Sequence, residues 1–149
     1  MLDLFAGKGE FVCSLRELGV DVEIVGFSEI LPYAVGVYKA IHNVDDSIFL
    51  GDVTKVKDIN LQEFDMIVSG SPCQSFTNEG NMEGGDKNSG TRSSLLWEQI
   101  KIAKKNKPKY IVWENVRGLG FSKNKHILPQ YTQELDEIGY NTYFKLLNY

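Results

Sequence analysis

Short apolar runs and helical patterns alternate along this chain, and that alternation limits it to a sheet of parallel strands joined by crossover helices. Strand-like runs occupy residues 1–5, 22–27, 47–50, 64–69 and 110–113, with a sixth expected over 141–147. Helical patterns fill 10–18, 31–42, 93–105 and 128–138. The expected class is therefore α/β, with a doubly wound sheet. Such a sheet keeps its ligands and reactive groups at the carboxyl ends of its strands, so those ends are where function is to be sought.

Three strand ends carry residues that an apolar core does not require. Residues 64–69 read as a buried strand, and Gly70-Ser71-Pro72-Cys73-Gln74-Ser75-Phe76-Thr77 follows, with Gly70 and Pro72 marking a sharp turn. Cys73 thus stands at the mouth of a loop. Read alone, it is either a nucleophile or an inert, small hydrophobe. The segment Lys109-Tyr110-Ile111-Val112-Trp113-Glu114-Asn115-Val116 places an acid, Glu114, where its apolar run stops. At the amino end, Met1-Leu2-Asp3-Leu4-Phe5 leads into Ala6-Gly7-Lys8-Gly9-Glu10-Phe11, which reads as a strand, a glycine turn and a helix start. Gly7 and Gly9 allow a ligand close to the backbone, and Glu29, just past the second strand, can accept hydrogen bonds from ribose hydroxyls.

Together these three segments, in this order, resemble the cytosine-5 DNA methyltransferases over nearly the whole chain. The first is similar to that family's Asp-Leu-Phe-Ala-Gly-x-Gly-Gly cofactor loop, with Glu10 in place of the last glycine. The second resembles its Pro-Cys-Gln nucleophile loop and the third its Glu-Asn-Val strand end. The resemblance implies a Rossmann-like, S-adenosylmethionine-dependent methyltransferase fold. It implies cofactor contacts from Phe5, Ala6, Gly7, Gly9, Glu29, Ile30, Asp52, Val53, Pro72 and Leu95, with Asp52 near the adenine amino group. Without the motif, Glu29 and Asp52 read as surface or helix-capping acids.

The resemblance also implies a reaction. Cytosine carbon 5 is too electron-poor to attack a methyl group unaided. The Cys73 thiolate adds to carbon 6, the resulting enamine takes the methyl group from S-adenosylmethionine, and loss of the carbon 5 proton expels the thiol. Glu114 would hold the ring nitrogen and the amino group. Asn115 is expected beside the base as a structural hydrogen-bonder. Such a base must be flipped from its duplex. The loop 74–91, with Gly80, Gly84, Gly85 and Gly90, is the expected clasp, and Gln74, Ser75, Thr77 and Arg92 are the expected contacts to the nucleotide and its phosphates.

Composition narrows the partners. The chain has 149 residues and a net charge of −4, which argues against indiscriminate nucleic-acid binding by its whole surface. Its basic residues crowd the middle and later parts, where a phosphate-facing surface or a solvated helix end would account for Lys104, Lys105 and Lys107. Two cysteines, Cys13 and Cys73, make neither a metal spacing nor a disulfide framework, and Cys13 reads as core. No metal is expected. No apolar run is long enough for a bilayer, and no signal peptide is visible, so a cytoplasmic protein is expected, with a bacterial or phage origin expected from its compact, lysine-rich style.

Residues 1–149 are expected to form one catalytic domain that stops before the family's last strand and lacks its target-recognition domain. A second polypeptide supplying that half is one expected partner, besides double-stranded DNA. Two other readings remain open: a non-catalytic remnant that binds S-adenosylmethionine or a partner chain, and a methyltransferase acting on transfer RNA.

Overall fold

The computed structural model describes residues 1–73, 85–120 and 124–147. The chain divides into two compact units. The first comprises Met1–Ser71 and Lys101–Glu114, and the second Pro72–Ile100 and Asn115–Tyr149.

The first unit holds a five-stranded parallel sheet of β1 (Leu2–Leu4), β2 (Gly26–Ser28), β3 (Phe49–Gly51), β4 (Met66–Gly70) and β5 (Tyr110–Glu114). Its order is β3-β2-β1-β4-β5. The chain steps outward from β1 to β2 and β3, then returns on the other side of β1 with β4 and β5. The strand order therefore reverses between β1 and β4, the kind of switch point beside which open α/β sheets hold ligands. Leu2 and Leu4 are fully buried in the central strand, which explains why β1 is apolar except at Asp3.

The described residues include five α-helices: α1 (Glu10–Glu17), α2 (Pro32–His42), α3 (Val53–Val56), α4 (Leu96–Asn106) and α5 (Ile127–Glu137). Their ends follow local chemistry. Gly9, with φ 86°, caps α1 in a conformation that side chains resist. Pro32 begins α2 where no amide bond is lost, and Asn43, with φ 54°, ends it in the left-handed region. At the end of α4, Lys107 has φ 49° and its amide donates to the Ala103 carbonyl at 2.8 Å, with Pro108 next. Lys105 Nζ donates to the carbonyls of Lys57 (3.0 Å) and Ile59 (2.9 Å), so this lysine ties the helix end to the segment after α3.

Within the first unit, Phe27 stacks on Tyr38 with ring centroids 4.2 Å apart, and Ala6, Val12 and Ile24 complete that cluster. In the second, Trp97 and Tyr131 lie 5.9 Å apart, the Trp97 indole donates to the Gly85 carbonyl at 2.7 Å, and the Tyr131 hydroxyl donates to Gln99. His126 pairs with Asp86 at 2.6 Å and Lys87 with Glu134 at 2.5 Å.

Three expectations change. Residues 141–147 form no strand: a strand is held by ladder bonds to a neighbour, and none pairs with them among the described residues. Tyr143, Phe144, Leu146 and Leu147 are exposed there. The second strand contracts from 22–27 to Gly26–Ser28, because only those residues face β1 in register. The helix expected over 93–105 begins as a 3-10 turn, Arg92–Leu95, capped by Thr91 before α4 takes over. No helix among the described residues is long and apolar enough to cross a membrane.

Candidate active site

The glycine turn after β1 is built from below. Phe5 (φ 56°), Gly7 (φ 55°) and Gly9 (φ 86°) all adopt left-handed backbone, and the Ala6 amide donates to the Ser28 carbonyl at 2.9 Å, tying the turn to β2. His42, at the end of α2, is buried beneath Gly9. Its Nε2 lies 3.0 Å from the Lys8 carbonyl and its Nδ1 3.3 Å from Arg16 Nη1. Arginine only donates, so Nδ1 must accept and Nε2–H must donate to Lys8. A Cβ on Gly9 would fall 2.0 Å from His42 Nε2, so the position admits no side chain while that histidine stays in place.

Glu29 closes the other side of the turn. Its Oε2 accepts from the Gly7 amide at 2.9 Å, and its Oε1 from the amides of Ile30 (2.7 Å) and Leu31 (2.9 Å). Three backbone donors thus fix a half-buried carboxylate at the carboxyl end of β2. Ile30 and Leu31 are exposed beside it, 60% and 58% accessible, and Tyr33 at 84%. Asp52, after β3, is exposed and caps α3, its Oδ1 accepting from the Thr54 amide and hydroxyl, both at 2.9 Å. Val53 is buried behind it. The Ser28 hydroxyl donates to the Gly51 carbonyl at 2.7 Å where β2 and β3 slip register.

Under this surface lies a buried acid. Asp3 is 1% exposed and accepts from the Tyr38 hydroxyl at 3.1 Å. Burial raises its pKa to about 8; the Tyr38 bond opposes the shift, and the negative charges of Glu10 and Glu29 add to it. Burial beside Asp3 likewise raises the Tyr38 phenol. His42 is pushed below its ordinary value by burial, with the Lys8 bond opposing and the Arg16 charge reinforcing.

On the other side of the switch point, Gly70 of β4 stands in register with Glu114 of β5, and a Cβ on Gly70 would meet Glu114 Oε2 at 3.7 Å. Glu114 is exposed. The Trp113 indole donates to the buried Ser71 hydroxyl at 2.9 Å, which fixes the chain leaving β4. Pro72 and Cys73 follow directly, both half-buried, in the second unit. That unit also contains Arg92, exposed, and Leu95, half-buried, on the 3-10 turn. Asn115 comes immediately after β5, and its Oδ1 accepts from the Val116 amide at 2.9 Å. Gln74, Ser75 and Thr77, with Gly80 and Gly84 of the expected clasp, lie outside the described residues.

The structure therefore gathers Phe5, Ala6, Gly7, Gly9, Glu29, Ile30, Asp52, Val53 and Glu114 on the first unit, at or beside the carboxyl ends of parallel strands. The place of His42 under the turn is not visible in the sequence. Nothing near it in the chain signals that the last turn of α2 reaches under a glycine more than thirty residues earlier.

A doubly wound parallel sheet with a glycine turn after its first strand and an acid after its second is the Rossmann-like methyltransferase architecture. The Dnmt2 methyltransferase of S. pombe superposes with a TM-score of 0.63 at 19% identity, over 94% of this chain and 40% of that one, which shows the shared fold. The DNMT2 of Spodoptera frugiperda gives 0.56 at 28% identity, covering 89% and 40%. The family described as C-5 cytosine-specific DNA methylase matches residues 1–149, and the chain belongs to it. Among relatives, the orphan methyltransferase M.SPRI of Bacillus phage SPR is 42% identical over 99% of this chain, and M.SPBetaI of Bacillus phage SPbeta 34% identical over the same share. The chain spans 33% and 40% of those two proteins.

Proposed function

We propose that residues 1–149 are the cofactor-binding and nucleophile portion of one catalytic domain, in a methyltransferase that uses S-adenosylmethionine to methylate carbon 5 of a flipped cytosine in double-stranded DNA. The reading rests chiefly on Glu29, a carboxylate fixed by three backbone amides and joined to the Gly7 turn at the edge of a topological switch point. The residues present fit an adenosine-bearing sulfonium: an acid for the ribose diol, exposed Ile30 as an apolar face for the base, and a turn without side chains at Gly7 and Gly9 for the amino-acid end. Asp52 would meet the adenine amino group, with Phe5, Val53, Pro72 and Leu95 lining the pocket. When bound, the cofactor supplies an electrophilic methyl group.

The chain's own residues supply the rest. The Cys73 thiolate forms a bond to cytosine carbon 6, and the electron pair of the 5,6 double bond moves to carbon 5. Later, carbon 5 loses its proton and the sulfur–carbon bond breaks, which regenerates the thiolate. Glu114 holds the ring nitrogen and amino group. Gln74, Ser75, Thr77, Arg92 and Asn115 would hold the flipped nucleotide. Recognition of a DNA sequence falls to a further segment or a second polypeptide. Relatives in bacteria and bacteriophages support a role inside a bacterial cell, in a phage or restriction–modification setting.

Calorimetric titration with S-adenosylhomocysteine tests the cofactor half. Wild-type chain should bind saturably and Glu29→Ala at least about tenfold more weakly, since a charge-assisted hydrogen-bond set is lost. No saturable binding by wild type, or equal binding by the variant, would remove the basis of the proposal.

A further inference from the structure

The proposed cofactor turn is supported by one imidazole whose protonation state its surroundings dictate. His42 offers Nε2–H to the Lys8 carbonyl and the Nδ1 lone pair to Arg16 on α1. Tyr38, one turn earlier on its own helix, packs against the ring at 4.5 Å and is itself bonded to Asp3 of β1. Lys8 turns its ammonium outward to Glu10 at 3.7 Å, both side chains exposed, so the turn presents only its carbonyl to the imidazole. The neutral Nε2–H form satisfies both ring nitrogens. A second proton on Nδ1 would point a donor at a guanidinium that has nothing but donors, and set two cations 3.3 Å apart.

We propose that His42 is a positioning residue for the cofactor turn, holding the Lys8–Gly9 backbone in its ligand-ready form only while the imidazole is neutral, so that affinity for the cofactor declines in acid. The proposal rests on the cofactor reading above. It has independent geometric support in the fit of the ring against Gly9, where even a methyl group would collide with Nε2. Depression of the His42 pKa by burial and by Arg16 agrees with it: the neutral form is retained to lower pH than usual, and the support is lost as pH falls through that depressed value.

The test is S-adenosylhomocysteine affinity by calorimetry from about pH 7.5 down to about 5, a window below the titration of Asp3 that extends well under the ordinary histidine value. Wild type should weaken several-fold as pH falls, because a protonated Nδ1 is repelled by Arg16 and the ring, displaced from that contact, no longer holds its Nε2–H against the Lys8 carbonyl. His42→Gln, which can donate to Lys8 but does not titrate, should bind at pH 7.5 within about threefold of wild type and show no slope. His42→Ala should be about tenfold weaker at pH 7.5 and also flat. A wild-type slope that persists in His42→Gln, or a flat wild type, overturns the positioning role while leaving the cofactor reading intact. Absence of wild-type binding at every pH strikes the cofactor reading and this role with it. Imidazole nitrogen-15 shifts of ligand-free wild type give a readout that needs no variant: the Nε2–H tautomer is expected at pH 7.5, and the Nδ1–H tautomer would overturn the arrangement.

Discussion

Asp3 occupies the middle of the central strand, walled from water and bonded to a phenol, where a carboxylic acid is far better tolerated than a carboxylate. With its pKa at about 8, the folded chain keeps a proton that the unfolded chain releases near pH ~4. A group raised on folding gives its full stabilisation below the unfolded value and loses it as pH climbs through the folded value. Asp3→Asn keeps an acceptor for Tyr38 and removes the ionisation. Urea unfolding at about pH 5, 7 and 9 should show the variant gaining on wild type by at most ~1.4 kcal/mol per pH unit up to about 8, then no further. Parallel curves would assign the proton elsewhere. Glu29, Cys73 and Glu114 were legible in the sequence because strand ends and glycine turns mark their positions. The burial of Asp3 and the reach of His42 were not, since both depend on partners, Tyr38 and Gly9, far along the chain.

At the scale of elements, the cap on α2 matters because that helix delivers both Tyr38 and His42. Asn43 ends it at φ 54°, a conformation that a β-carbon disfavours and that asparagine tolerates better than most residues. Asn43→Ala should cost about 1 kcal/mol in urea unfolding, and Asn43→Gly should be neutral or slightly stabilising. Equal losses in both would show that the side chain, and not the backbone conformation, is what counts. The same local rules made most elements legible: Pro32 and Gly9 announce helix starts, and apolar runs announce β4 and β5. They did not find α3, whose four residues carry too little periodicity. They overread 141–147, where apolar side chains are present without a neighbouring strand to bond.

At the scale of the molecule, the match to the family runs the length of the chain, which spans 33% of its phage relative M.SPRI. Its two compact units share α4, whose first turns belong to one and whose last turns belong to the other. The sheet has a further property. Leu2 of β1 pairs with Gly26 on one side and with Ile67 on the other, so the first residues of the chain become its centre. The entropy of closing a loop grows with its length, which makes the β1–β2 pairing the cheaper of the two and the β1–β4 pairing the later. In a refolding experiment, pulse-labelled hydrogen exchange should protect the amides of β2 before those of β4; the reverse order would contradict this. On a translating ribosome, the glycine turn and Glu29 would then be assembled while the strand leading to Cys73 was still being made, so one side of the switch point would be waiting when the other arrived.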